Sequence, residues 1–149
     1  MKLDILNTRA VKQILKLIKK QWDVDFKEPF AFLKDQKDKV YIINKDFAEI
    51  DPKKLNINSL GLYFGQIKNS QFRLSVEGSQ LIGPKAKKNV LELDEIQFKE
   101  WIQGNDLEIK TPLEETFLII KHKTDFLGAG KYSENKLFNY IPKERRVTL

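Results

Sequence analysis

The sequence predicts an α+β fold, with an N-terminal mixed α/β portion over residues 1–70 and a compact β unit within residues 71–149. Three observations carry that expectation. Phe117–Lys121, Leu127–Lys131 and Lys136–Tyr140 are short β-rich runs separated by the turn signals Thr124-Asp125 and Ser133-Glu134-Asn135. Near the start, Val11, Ile14, Leu15, Ile18 and Trp22 recur at the three-four spacing of one buried helical stripe. A chain of 149 residues is long enough for one domain or two small ones packed closely, and buries roughly 68–70% of its unfolded surface without covalent staples.

In chain order, Leu3–Leu6 reads as a short first strand. Asn7 or Thr8 then caps a helix running to Trp22. Phe30–Leu33 and Val40–Ile43 form a hairpin around the polar segment Asp35–Lys39, and Asp46–Ile50 reads as a helical turn closed by Asp51-Pro52. Leu60–Ile67 and Phe72–Val76 form a second hairpin around Lys68-Asn69-Ser70. Gly61 and Gly65 mark a bulge or a close backbone approach in its first strand. Of Tyr63, Phe64 and Phe72, two should point inward by strand alternation. Arg73–Gly83 runs from strand into a short helix that stops at Gly83-Pro84, with Lys85, Lys87 and Lys88 on an exposed loop. Val90–Leu93 is a strand. Asp94 starts a helix with Gln97 three residues on, a capping-box pattern, and Gly104 closes it. Leu107–Ile109 then leads into the three final strands, which end in the cationic group Lys143, Arg145 and Arg146.

Charge is unevenly spread. Residues 1–20 carry six cations against one acid and residues 117–149 seven against three, whereas residues 71–116 hold six against nine. A basic face built from both chain ends is the electrostatic footprint of a nucleic-acid binder. A solvated, lysine-rich surface accounts for the same composition, and for Arg9, Lys12, Lys16, Lys19 and Lys20 on the first helix the choice lies between a solvated face and a phosphate-contacting rim. Cysteine is absent, which removes disulfides, thiolate metal sites and thiol nucleophiles and suits a reducing cytosol. With no long apolar run and no leader pattern, the chain is expected to be soluble and cytoplasmic, without membrane contact.

Catalytic chemistry finds little support. His122, the single histidine, stands between two lysines and is expected at the surface or on a phosphate, with no triad to join. Carboxylates show neither a paired-acid pattern nor calcium-loop spacing. Gly128-Ala129-Gly130-Lys131 imitates a phosphate loop, but Asp125 stands where its first glycine belongs and Tyr132 where Ser or Thr should follow the lysine. The glycines are better explained by a tightly curved strand passing a neighbour. No catalytic residue, metal or cofactor is expected.

Leu127-Gly128, Gly130-Lys131, Asn139-Tyr140, Pro142-Lys143 and Arg145, set within Phe117–Arg146, resemble the PUA-like domain at the C-terminus of RsmF-type rRNA cytosine-C5 methyltransferases. Gly61–Gly65 and Arg73–Pro84 look like archaeal stand-alone relatives that lack the methyltransferase domain, and like a ribosome-biogenesis family joining a small α/β domain to a PUA domain. The resemblance implies a C-terminal PUA-like small β-barrel that binds structured rRNA or tRNA. This chain holds neither a glycine-rich cofactor loop nor a cysteine to attack cytosine, so the expectation is non-catalytic RNA binding, in RNA modification or ribosome biogenesis. An rRNA methyltransferase or ribosome-assembly factor acting in trans is the implied protein partner, and a protein-interaction module of such a complex is the alternative. Lys143, Arg145 and Arg146 are the first expected phosphate contacts, with Lys131 and Arg73 next and Lys85, Lys87 and Lys88 gripping from the loop side. Tyr132 and Tyr140 are the stacking candidates, Tyr140 being equally compatible with the core.

Overall fold

The protein, described here by a computed structural model over residues 2–45 and 61–149, contains two five-stranded sheets. The first is an antiparallel succession of β1 (Asp4–Ile5), β2 (Phe30–Lys34), β3 (Lys39–Asn44), β4 (Leu62–Lys68) and β5 (Gln71–Leu74) in sequence order. The helical turn expected at Asp46–Ile50 and its Asp51-Pro52 closure lie outside the described residues. Helix α1 (Thr8–Trp22) begins where expected, because the Asn7 side chain accepts the amide of Ala10 at 2.9 Å. It ends where Asp23 turns left-handed, with φ +56°. Its stripe Ile14, Ile18 and Trp22 is buried against Phe32, Val40, Ile42, Phe64 and Phe72 on one face of the sheet. Phe64 and Phe72 point inward and Tyr63 outward, as strand alternation requires. Gly65 is a close approach, since a Cβ there would lie 2.5 Å from the Arg73 carbonyl oxygen.

The second sheet has the order β6-β8-β9-β10-β7 and curls into a half-barrel, which gives the small C-terminal barrel of the expected α+β fold. Helix α2 (Val76–Ile82) leads through a 3-10 turn at Gly83–Lys85 to β6 (Val90–Glu92), then helix α3 (Glu95–Ile102) and β7 (Leu107–Glu108). The strands β8 (Phe117–His122), β9 (Asp125–Ser133) and β10 (Lys136–Asn139) follow as antiparallel neighbours, and a last 3-10 turn spans Lys143–Arg145. Among the described strands only β6 pairs in parallel, Val90 opposite Ile119, which the intervening α3 makes possible. Pairing of β8 with β9 slips between Ile119 and Lys121, opposite Gly128, whose φ of +105° bends the strand and whose amide the Ser79 hydroxyl accepts at 2.8 Å. The expectation of a curved glycine strand is met there.

Helix α1 joins the two sheets. Gln21, buried among apolar neighbours, donates to the Phe72 carbonyl at 2.9 Å and accepts the Phe72 amide at 2.7 Å, standing in for the strand that β5 lacks on its open edge. The Trp22 indole donates to the Phe117 carbonyl of β8 at 3.1 Å. The last carbonyls of α1 are then satisfied by the Asn89 amide, on Gln21 at 2.7 Å, and the Lys87 backbone amide, on Trp22 at 3.0 Å. One apolar core consequently runs from Ile14, Ile18 and Trp22 through Phe72 to Phe117, Ile119 and Ala129. A second core, around Trp101, Leu118, Ile120 and Leu137, lies inside the C-terminal sheet.

His122 corrects an expectation. It is 7% exposed, stacked on Phe98 with ring centroids 3.9 Å apart, and its Nε2 lies 3.0 Å from Glu95 Oε2. Flanking lysines suggested a surface position, but strand alternation turns both Ile120 and His122 towards α3. The ring serves to dock that helix.

Candidate nucleic-acid interface

The outward residues of β5 and the last residues of β10 meet where the two sheets adjoin. Arg73 alternates with the buried Phe72 and Leu74, so its side chain leaves the core and its guanidinium carbon sits 4.4 Å from the Tyr140 ring centroid. Its Nη2 donates to Gln66 Oε1 at 2.8 Å. Gln66 is itself buried and donates Nε2 to the Lys37 carbonyl at 2.8 Å, so the amide can present only its oxygen to Arg73. Tyr63 completes the frame beside Tyr41, with ring centroids 5.5 Å apart. Burial pushes the Tyr63 phenol up, with the Arg73 charge and hydrogen bond acting against it, so the hydroxyl stays neutral at physiological pH.

Arg73 and Tyr140 stand between two clefts. The larger, about 380 Å³, is walled by Lys39, Tyr63 and Ser75 on one side and by the Gly128 backbone, Ile141 and Arg145 on the other. The smaller, about 220 Å³, is lined by Lys68, Gln71, Phe117 and Lys131 together with Arg73 and Tyr140. Lys131 donates to Gln71 Oε1 at 2.6 Å and lies 5.1 Å from the Phe117 centroid. Burial holds its ammonium below the usual lysine value, with Glu115 pulling weakly the other way. At the rim of the larger cleft, Arg145 Nη1 is 2.5 Å from Glu77 Oε1, which neutralises it in part.

Arg73, Lys131 and Arg145 therefore converge on one junction, with Tyr140 between them. Lys143 is exposed and makes no ion pair among the described residues. Arg146 spends its Nε on the Ile141 carbonyl at 3.1 Å and its stem lies against Gly104, so it ties down the C-terminal segment. Lys85, Lys87 and Lys88 are exposed, yet none lines either cleft. Lys85 pairs with Glu28 at 2.7 Å and Lys88 with Glu114 at 3.1 Å. Glu114 is held below the usual carboxylate range by hydrogen bonds from Asn89 and Lys88. Tyr132 corrects its assignment as a stacking platform. It is 4% exposed within the C-terminal core, and its hydroxyl engages the Thr111 backbone and Asn135. Of the two expected stacking tyrosines, Tyr140, 42% exposed, is the one that reaches the surface.

Lys39, Tyr63, Gln66, Lys68 and Gln71 were not expected at the site. Strand alternation places Tyr63 and Arg73 outward, but it cannot show that one sheet's outer face adjoins the other's last strand. Among the described residues no His, Cys, Asp and Glu group is arranged to hold a metal ion, and no helix is long and apolar enough to cross a membrane.

This geometry accompanies a specific similarity. Residues 88–147 match the family model described as the methyltransferase RsmF PUA domain, and this part of the chain resembles the PUA-like domain of RsmF. The ribosomal RNA small subunit methyltransferase F of Aeromonas salmonicida (strain A449) is 24% identical over 107 residues, which cover 72% of this chain and 22% of that protein. The protein of the same name from Vibrio cholerae serotype O1 (strain M66-2) is 24% identical over 90 residues, covering 60% of this chain and 19% of the relative. The matched stretch thus spans about a fifth of these relatives' length.

Proposed function

We propose that this chain is a non-catalytic RNA-binding protein that recognises structured rRNA or tRNA, acting in the cytoplasm in RNA modification or ribosome biogenesis. The observation that carries the reading is the Arg73–Tyr140 stack, braced by Gln66 and set between two cation-lined clefts, in a chain whose residues 88–147 match an RsmF-type PUA domain. Relatives named as ribosomal RNA methyltransferases make rRNA the first substrate class to try, with an rRNA methyltransferase or an assembly factor as the partner in trans. Residues 71–149 form the RNA-binding module in this reading and residues 1–70 the N-terminal α/β domain that supplies Lys39, Tyr63 and Lys68 to the site.

Within that module Arg73, Lys131 and Arg145 contact the RNA at the junction and Lys143 extends the positive rim. Arg146 shapes the rim, and Lys85, Lys87 and Lys88 form an outlying contact. Phosphates supply most of the affinity and 2′-hydroxyls and base faces the discrimination. The test is binding of fluorescent tRNA and an rRNA fragment across a salt series. Lys39→Gln with Lys131→Gln should weaken both, and each lost phosphate contact should lower the salt slope by about 0.7–0.9. Affinity and slope untouched by the pair would remove RNA from this junction. Retention of a protein partner after nuclease treatment, together with no RNA affinity, would replace the RNA reading with a protein-interaction module.

A further inference from the structure

Resting on the RNA reading, we infer that the junction takes up a single-stranded RNA segment with an unstacked base lodged against Arg73 and Tyr140, and does not grip a continuous duplex. Aromatic and cationic side chains are interleaved across the junction. Tyr41 neighbours Tyr63 at 5.5 Å, Tyr63 and Arg73 line the larger cleft together, Arg73 covers Tyr140 at 4.4 Å, Tyr140 meets Phe117 edge-on at 5.9 Å, and Lys131 lies 5.1 Å from the Phe117 centroid. Phe117 is buried, so the surface open to a base is the Arg73 guanidinium and the half-exposed Tyr140 ring, which suit an unstacked base because it offers a π face to a ring or a guanidinium plane. In a duplex those faces are already stacked on one another.

Size points the same way. The larger cleft, about 380 Å³, falls in the range of roughly 300–1,000 Å³ that holds small ligands, enough for a base with its ribose and far too small for a helix. Its walls come from both sheets and are stiff. Gln66 fixes Arg73 from below, while Ser75, the N-cap of α2, donates its hydroxyl to the Tyr63 carbonyl at 2.5 Å and accepts the Gly78 amide at 2.9 Å. A preformed slot spares the ordering cost a flexible one would bear. Lys39 at one cleft and Lys68 with Lys131 at the other flank the stack, so cations are available to the phosphates on either side of a lodged nucleotide.

The experiment uses the full chain, a short RNA carrying 2-aminopurine, and the same RNA annealed to its complement. We expect the single strand to bind at least tenfold tighter than the duplex, with a change of 2-aminopurine fluorescence on binding. Tyr140→Ala should lower single-strand affinity by about 5- to 150-fold, the range of one base–aromatic stack, while Tyr140→Phe keeps it and duplex affinity moves less than twofold. Tyr140 is partly exposed, and circular dichroism of both variants confirms that the fold persists. Equal or tighter binding of the duplex overturns the inference and leaves the RNA reading standing, as does a single strand indifferent to Tyr140→Ala. Absence of binding to either RNA at low salt overturns both.

Discussion

Arg145 and Lys131 are both cations of the junction, yet their neighbours give them opposite constraints. Arg145 is held by Glu77 at the rim of the larger cleft. Glu77→Gln removes that competitor, so RNA should bind tighter and with a salt slope steeper by about 0.7–0.9, the signature of one more phosphate contact. An unchanged slope in a salt titration would place Arg145 outside the contact. For Lys131, burial outweighs the weaker pull of Glu115, and its pKa is depressed below 10.5. The unfolded chain therefore binds the proton more tightly, and this residue opposes folding at neutral pH. Stability rises with pH between the lowered value and 10.5. A phosphate beside the ammonium favours its charged form, so affinity should fall as pH rises through the lowered value towards 10.5. Lys131→Arg keeps its charge throughout, and anisotropy titrations of that variant should show a smaller fall of affinity with pH than the wild type. Residue types alone had pointed to Arg73, Lys131 and Arg145. They could not separate Tyr140 from Tyr132, because both are tyrosines near strand ends, and only the pairing of Leu137 with Tyr132 fixes which ring is inside.

At the level of elements, features dictated by neighbours in the chain were legible and those dictated by distant partners were not. The α3 capping box is an example of the first kind. Asp94 Oδ1 accepts the Gln97 amide at 2.8 Å and Gln97 Oε1 accepts the Asp94 amide at 2.9 Å, with both residues three positions apart in the sequence. Asp94→Ala should cost about 1 kcal/mol in urea denaturation, the ordinary worth of such a cap. Gly130 belongs partly to each kind. Its presence in a curved strand was readable, but its reason is that a Cβ there would stand 2.7 Å from Trp101 Cη2 and 2.9 Å from Leu137 Cδ1. Gly130→Ala should destabilise by about 1–3 kcal/mol, as overpacking does, and near-ultraviolet dichroism should report a displaced Trp101. A neutral Gly130→Ala would mean that Trp101 has room to move. The parallel pairing of β6 with β8 and the use of Gln21 to finish β5 left no local signal. Gln21 looks like one more polar residue on a basic helix until Phe72, 51 residues away, supplies both halves of its amide bond pair.

Over the whole molecule, the N-terminal helix and the C-terminal barrel share one core, which decides how the chain should unfold. Charge at the two chain ends had suggested a common basic face. The structure instead brings β3, β4, β5, β9 and β10 together at the junction, while most of the α1 lysines lie away from both clefts. What α1 contributes is its buried side. Ile14, Ile18 and Trp22 cover Phe72 and Phe117, the Trp22 indole closes on the Phe117 carbonyl, and Gln21 completes the edge of β5. A fragment of residues 71–149 would expose Phe72, Phe117, Ile119 and Ala129 and leave the Phe72 backbone unpaired. Each large side chain uncovered forfeits about 1.5–3 kcal/mol, against a total stability of only about 5–15 kcal/mol for a domain. The fragment should therefore lack a sharp urea transition and bind a hydrophobic dye, whereas the full chain unfolds in one step with coincident tryptophan fluorescence and circular dichroism. Trp22→Ala in the full chain should act in the same direction, costing about 3–5 kcal/mol. RNA binding should weaken with it, because the distance between Arg73 on β5 and Lys131 on β9 is set across the interface that Trp22 fills. A fragment that folds cooperatively and binds RNA as the full chain does would show that the barrel stands without α1, and the N-terminal half would then need a role of its own.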